Sequence, residues 1–79
     1  TNDDILSLEA VKEREQVLKK AVKENDLLLE FSMRKSLILR ATRAIIVNNG
    51  KDVALQEQMQ NLVAEQTQAL RSGKFEEYI

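Results

Sequence analysis

The stretch from residue 27 to residue 47, LLLEFSMRKSLILRATRAIIV, constrains the fold more than any other, because it is densely apolar and holds no helix-breaking residue. At about 100° per residue, its apolar side chains cover more than half of a helix's circumference, with Leu28, Leu39 and Ile46 on a flank of their own. A surface helix needs only one apolar stripe of roughly 100°. We therefore expect this helix to be covered on two or more sides, by its own chain or by a second copy.

The 79 residues form one domain at most, and a domain of this size buries only about 60% of the surface that its unfolded chain exposes. Neither disulfides nor a structural zinc site is expected to add stability, since the chain has no cysteine and no histidine. We expect self-association to add it instead, in a homo-oligomer. No apolar run approaches the roughly 18 residues of a membrane span, and a chain without cysteine fits a reducing compartment. These features predict a soluble, cytoplasmic protein that has no membrane partner.

The first amphipathic segment leaves two architectures open at its end. A stripe at helical spacing runs into the apolar stretch, and its members are Leu8, Val11, Leu18, Val22 and Leu29. If Asn25-Asp26 is a turn, the chain divides into three helices of similar length, as in a three-helix bundle, with one of the pair capping the second helix. If the pair is helical, it costs about 1 kcal/mol in propensity, and a single helix runs over residues 7–48.

We favour the continuous helix, because a two-residue break without glycine or proline is weakly signalled. Asn25 then lies seven residues after Leu18, at an inward heptad position where a polar side chain can fix the register of a coiled coil. A shorter second helix does not reach the first half of such a helix. This arrangement predicts that a partner or a second copy covers the stripe.

The clearest boundary is Asn48-Asn49-Gly50, because asparagine and glycine tolerate the left-handed conformation that ends a helix. Asp52 follows as an N-cap for the next helix. The chain is therefore expected to reverse direction at this point.

The predicted fold is all-α, with residues 1–79 forming a single helical interaction domain. The preferred form is a helical hairpin in a coiled-coil-like oligomer: a helix over about residues 7–48, a turn at Asn49 to Lys51, and an antiparallel helix over about residues 53–71. A three-helix bundle is the alternative. The tail, residues 72–79, is expected to dock on the bundle.

No enzymatic activity is predicted, because the chain lacks the side chains that most often carry it. Without histidine or cysteine, the commonest general base, thiol nucleophile and metal ligands are missing. No glycine-rich phosphate-binding motif is present in the sequence. We predict no catalytic residue, metal ligand, cofactor or small-molecule substrate.

The net charge of −1 conceals a basic block, since residues 32–51 carry five basic residues and no acid. The candidate anion-binding residues are Arg34, Lys35, Arg40, Arg43 and Lys51. On a helical wheel only Arg40 and Arg43 are neighbours, and no aromatic residue alternates with them for base stacking. Nucleic-acid binding is therefore possible but not favoured.

Apolar helix faces offer the better-supported function. The predicted protein-interface residues are Leu8, Val11, Leu18, Val22, Asn25 and Leu29 in the first helix and Phe75, Tyr78 and Ile79 in the tail. They indicate a non-enzymatic protein–protein interaction module, such as an assembly factor, chaperone-like subunit or adaptor, that binds a protein partner or itself. The alternative is a small nucleic-acid-binding regulator that uses the basic central helix.

Overall fold

The computed structural model describes the backbone of residues 2–79 and the side chains of residues 8–79. Three α-helices follow one another: α1 (Asn2–Lys23), α2 (Leu27–Asn48) and α3 (Val53–Leu70). A single 3-10 turn, η1 (Glu76–Tyr78), follows α3. Because the helices are joined by short turns, each runs antiparallel to the one before it. The all-α class is therefore confirmed.

The continuous helix over residues 7–48 is wrong, because α1 ends at Lys23 and α2 begins at Leu27. Asn25 has a φ of 55°, in the left-handed region that asparagine tolerates. Its N–H donates to the carbonyl oxygen of Val22 at 3.2 Å, and the Asp26 N–H donates to that of Ala21 at 2.9 Å. These two bonds form a Schellman motif, which closes α1.

Asp26 begins the next helix immediately. Its side chain accepts a hydrogen bond from the Leu29 N–H at 3.1 Å, so it is the N-cap of α2. An asparagine that ends one helix and an aspartate that starts the next therefore replace the glycine or proline expected at a break. The interpretation of Asn25 as an inward, register-setting residue is wrong for the same reason, since its side chain is exposed in this turn.

The predicted boundary after α2 is confirmed. Asn49 and Gly50 both have positive φ, of 48° and 76°. The Asp52 side chain accepts from the Leu55 N–H at 3.1 Å and caps α3. The buried Asn48 amide joins the two helices, because it donates to the Asp52 carbonyl and to Gln56 and accepts from the Asp52 N–H. This turn is thus fixed by side chains as well as by backbone conformation.

All three helices contribute to one core, so the structure is the three-helix alternative. Buried core residues come from α1 (Val11), α2 (Leu37, Ala41, Ala44) and α3 (Met59, Leu62). Both α1 and α3 pack on α2, which explains the breadth of its apolar surface. The stripe expected to need a partner is largely covered by the chain itself, since Val11 is buried and Leu18 packs against the core.

The tail docks at the end of the bundle where α2 begins. Phe75 is fully buried. Its ring lies 5.6 Å from that of Phe31, centroid to centroid, and the Tyr78 ring lies 5.4 Å from Phe31 on the same criterion. Tilted ring pairs at these distances are favourable, and they attach η1 to α2.

Candidate interaction surface

The predicted interface residues do not form one surface. Val11 packs in the core against the C-terminal half of α2, whereas Phe75 is buried near the N-terminal end of that helix. Leu8, Leu18, Leu29 and Tyr78 are partly buried, and Val22, Asn25 and Ile79 are exposed. Most of this set therefore holds the bundle together, and substituting Val11 or Phe75 tests folding before it tests binding.

The predicted anion-binding residues also divide. Arg34 is bonded within the bundle, through Nε to Glu30 Oε2 at 3.0 Å and through Nη1 to Gln66 Oε1 at 2.6 Å. The Lys35 ammonium lies 5.1 Å from the centroid of the Phe31 ring. The side chains of Arg40, Arg43 and Lys51 are exposed. The structure therefore places part of the basic block within the scaffold, and leaves Arg40 and Arg43 exposed on α2 and Lys51 exposed in the turn after it.

The Glu30 cluster fastens the tail to the bundle. Glu30 is only 2% exposed, and it accepts hydrogen bonds from Arg34 and, at 3.0 and 3.2 Å, from the Lys74 ammonium. Burial raises the pKa of this carboxyl, but the hydrogen bonds and positive charges of Lys74 and Arg34 outweigh burial, so the pKa lies below its usual value. Among the described residues, every buried side-chain nitrogen and oxygen has a hydrogen-bond partner. The buried polar atoms of the cluster are therefore all hydrogen-bonded within the protein, which indicates a structural role.

The sequence alone indicates only the Arg34–Glu30 part of this cluster, through the i, i+4 spacing of the two residues. Glu30 lies seven residues before the buried Leu37, so a carboxylate on this face of α2 needs a cation from elsewhere in the chain. That need was the available signal for Lys74, 44 residues away.

A different surface stays uncovered after the helices have packed. We define the outer face of α2 as its exposed arc, whose members are Leu28, Ser32, Lys35, Leu39, Thr42, Arg43 and Ile46. Leu39 is 71% exposed, Ile46 62% and Leu28 57%. The apolar flank noted in the sequence is thus the side of α2 that neither α1 nor α3 reaches.

The outer face is a line of apolar anchors with basic side chains between them. Leu28 and Ile46 are separated by about 27 Å along the helix axis at 1.5 Å per residue. Lys35 and Arg43 each lie one helical turn from Leu39, and Ser32 and Thr42 are the neutral members of the face. No acid occurs between residues 32 and 51, so α2 itself contributes basic and apolar side chains to this surface and no carboxylate.

Two clefts in the described part of the chain offer no comparable arrangement. One, of about 290 Å³, is lined by Phe31, Lys35, Leu70, Tyr78 and Ile79. Partial burial and the neighbouring Glu77 raise the pKa of Tyr78, so its phenol stays protonated at neutral pH. The other, of about 270 Å³ between α1 and α3, is lined by Glu15, Gln58, Asn61, Leu62 and Glu65. Its walls bring no nucleophile next to a base.

A scan against protein-family models and searches of curated proteins and of solved structures found no match to this chain. None of the helices among the described residues combines the length and the apolarity that crossing a membrane requires. In the same part of the chain, no group of three or more acidic side chains is placed to hold a metal ion. Function is therefore inferred from the residues and their geometry.

Proposed function

We propose that this protein is a non-enzymatic interaction module, an assembly factor, chaperone-like subunit or adaptor, and that it binds a protein partner through the outer face of α2. The observation that carries the proposal is the exposure of Leu39 and Ile46 on a helix whose other sides are already packed. Single exposed leucines are ordinary on protein surfaces. Here three large aliphatic side chains lie in line on one face of one helix, which is the pattern of helix-mediated binding.

Covering this face with a partner contributes substantially to the free energy of binding. Complete burial of a leucine or isoleucine side chain contributes about 1.5 to 3 kcal/mol. The three anchors are already more than half exposed, so a partner recovers a large part of that amount at each of them. Because α1 and α3 hold α2 in place, little backbone is ordered on binding, and less of the gain is lost as conformational entropy.

The alternative, a nucleic-acid-binding regulator, has less support. Phosphate recognition uses several cations on one exposed surface. Arg34 is instead bonded to Glu30 and Gln66, and the Lys35 ammonium lies over the Phe31 ring. The centre of the exposed arc is occupied by Leu39. This distribution favours a protein partner.

A photo-reactive side chain at position 39 tests the proposal, with the same group at position 58 as its control. Gln58 is an exposed residue of α3, away from the outer face. We expect a specific protein to cross-link from position 39 and not from position 58. That protein is then purified and titrated against variants of this chain.

The decisive comparison removes exposed apolar groups in two places. The double variant Leu39→Ser/Ile46→Ser changes the outer face, and Val22→Ser/Val53→Ser removes exposed apolar groups from α1 and α3. We expect the first to weaken partner binding by at least about tenfold, equivalent to about 1.4 kcal/mol, and the second by less than about threefold. Equal losses in the two variants contradict the proposal. The regulator is supported instead if nucleic acid co-purifies with the protein, and if the double variant Arg40→Ala/Arg43→Ala or raised salt abolishes that co-purification.

A further inference from the structure

We infer that the end of the bundle around Phe31 and Glu30 is a binding site for a partner segment in which a basic residue precedes an aromatic one, and that this chain's own tail fills the site as an autoinhibitory strap. The tail is the segment 72–79, which follows α3. The site is separate from the outer face of α2, so the inference does not depend on the proposed function. Its basis is what the bundle provides for the tail and how the tail is attached.

The first feature of the site is a place for an aromatic ring. Phe75 is fully buried, although it lies beyond the end of α3 and belongs to no α-helix. Its ring packs against that of Phe31, and the Tyr78 ring packs against Phe31 as well. A buried aromatic side chain contributes a large apolar area and a specific ring geometry. The three helices therefore leave a space for a ring that they do not fill themselves.

The second feature is a buried carboxylate that takes a cation from the tail. The Lys74 ammonium donates to Glu30 Oε1 at 3.0 Å and to Oε2 at 3.2 Å, whereas Arg34 donates to Oε2. The same ammonium lies 5.6 Å from the centroid of the Phe75 ring. Without the tail, Glu30 would keep Arg34 but lose the cation at Oε1, and an unpaired buried acceptor is costly. The site therefore selects a segment that brings a cation and a ring together.

The tail is attached in a way that lets it leave as a unit. Its described backbone hydrogen bonds are local: Ser72 donates to Ala69 in the last turn of α3, and the others run between residues 73 and 79. Gly73, with a φ of 93°, lies in the short link to α3. The tail contacts the bundle through side chains, so its release breaks no hydrogen bond within α1, α2 or α3. Local opening of this kind needs less free energy than global unfolding.

The tether determines when a partner segment is able to enter. A segment joined by a short flexible link competes at an effective concentration of about 1 mM or more. A partner segment at about 100 µM therefore leaves the tail in place, and binding becomes strong only when the tail is weakened. The tail of a second copy gains nothing by exchange, since its own site offers the same contacts at a higher effective concentration. The occupant that replaces the tail is thus a segment of another protein.

Fluorescent peptides with the sequence of residues 72–79, SGKFEEYI, test the site in the full chain. The opened host is the variant Lys74→Gln/Phe75→Ala, confirmed as folded by circular dichroism, and the closed host is the wild type. Binding is measured by fluorescence anisotropy. We expect saturable binding to the opened host and at least about tenfold weaker binding to the wild type. Two control peptides, with glutamine in place of the lysine or alanine in place of the phenylalanine, should each bind the opened host at least about tenfold more weakly.

A second measurement uses the wild-type sequence and needs no opened variant. The chain has two phenylalanines, Phe31 and Phe75, so incorporation of 4-fluorophenylalanine gives two fluorine NMR signals, both from the site. We expect the unlabelled peptide to move the Phe75 signal to its solvent-exposed position, with half displacement at about 1 mM or above, the effective concentration of the tethered tail. The peptide with alanine in place of the phenylalanine should leave both signals in place at the same concentration.

Three results would overturn the inference. The first is a folded opened host that does not bind the tail peptide, or that binds both control peptides equally well. The second, which also decides the matter if the opened host does not fold, is a Phe75 signal that stays at its buried position up to about 10 mM peptide, about ten times the effective concentration. The third is a wild-type dimer that Phe75→Ala abolishes, because the occupant is then the tail of a second copy.

Discussion

Glu30 is a carboxylate on the buried side of α2, and its hydrogen bonds from Arg34 and Lys74 are what make that position tolerable. We expect Glu30→Gln to lower the free energy of unfolding by about 1 to 3 kcal/mol near pH 7, because an amide cannot satisfy both cations. A urea titration monitored by circular dichroism measures this change in the free energy of unfolding. The matched control is Glu57→Gln on the exposed side of α3, which should change stability by no more than about 0.5 kcal/mol.

The same residue gives the stability a defined pH dependence. Because the pKa of Glu30 is lower in the folded state, its contribution is complete above the unfolded-state pKa of about 4.3 and is lost as the pH falls through the lower folded-state pKa. The stability difference between the wild type and Glu30→Gln should therefore be largest above about pH 5 and should shrink in more acidic solution. A difference that stays constant down to the acid-unfolding range would show that the charge of Glu30 contributes nothing.

At the scale of elements, the break between α1 and α2 depends on Asn25 in the left-handed conformation. We expect Asn25→Leu to destabilise the bundle by about 1 kcal/mol, since a side chain without a local hydrogen bond is strained at positive φ. Asn25→Gly should be neutral or slightly stabilising, because glycine adopts this conformation without strain. Thermal unfolding of the two variants measures the difference. If Asn25→Leu stabilises the protein instead, the result supports the continuous helix with Asn25 at an inward heptad position.

The elements show which parts of the fold could be predicted from the sequence. The second turn was predicted because Asn48-Asn49-Gly50 and Asp52 are strong local signals. The first turn is harder to predict, because the residues around Asn25-Asp26 fit two structures about equally well. The apolar stripe continues through the pair as in a single helix, and the pair can equally end one helix and cap the next. Only tertiary packing decides between them: the turn lets α1 fold back and bury Val11 within the same chain.

The candidate surface was harder to predict than the helices, for a related reason. The sequence predicts that Leu28, Leu39 and Ile46 share one flank of α2, but the pattern does not determine which flanks α1 and α3 cover. Once the break at Asn25 moves α1 onto α2, the stripe predicted as an interface becomes core and this flank is left exposed. The turn at Asn25 therefore determines that the α1 stripe is core and that the outer face of α2 is the exposed apolar surface.

For the whole molecule, the main reason for expecting self-association was the uncovered α1 stripe, and the chain itself now covers most of it. We therefore predict a monomer of 9.0 kDa at about 100 µM and about 0.15 M salt. Sedimentation equilibrium measures the mass. A stable dimer that dissociates in Leu39→Ser/Ile46→Ser would show that the outer face pairs with itself.

The most direct test of the outer face as a docking surface is methyl NMR of the full chain during titration with the protein that cross-links from position 39. It reports on each anchor without substituting it. The methyl groups expected to shift most are those of Leu28, Leu39 and Ile46. Those expected to stay nearly unchanged, although their residues are also exposed, are in Val22, Val53 and Ile79. Saturable shifts confined to the first group are the predicted result, and larger shifts in the second group than in the first would contradict it.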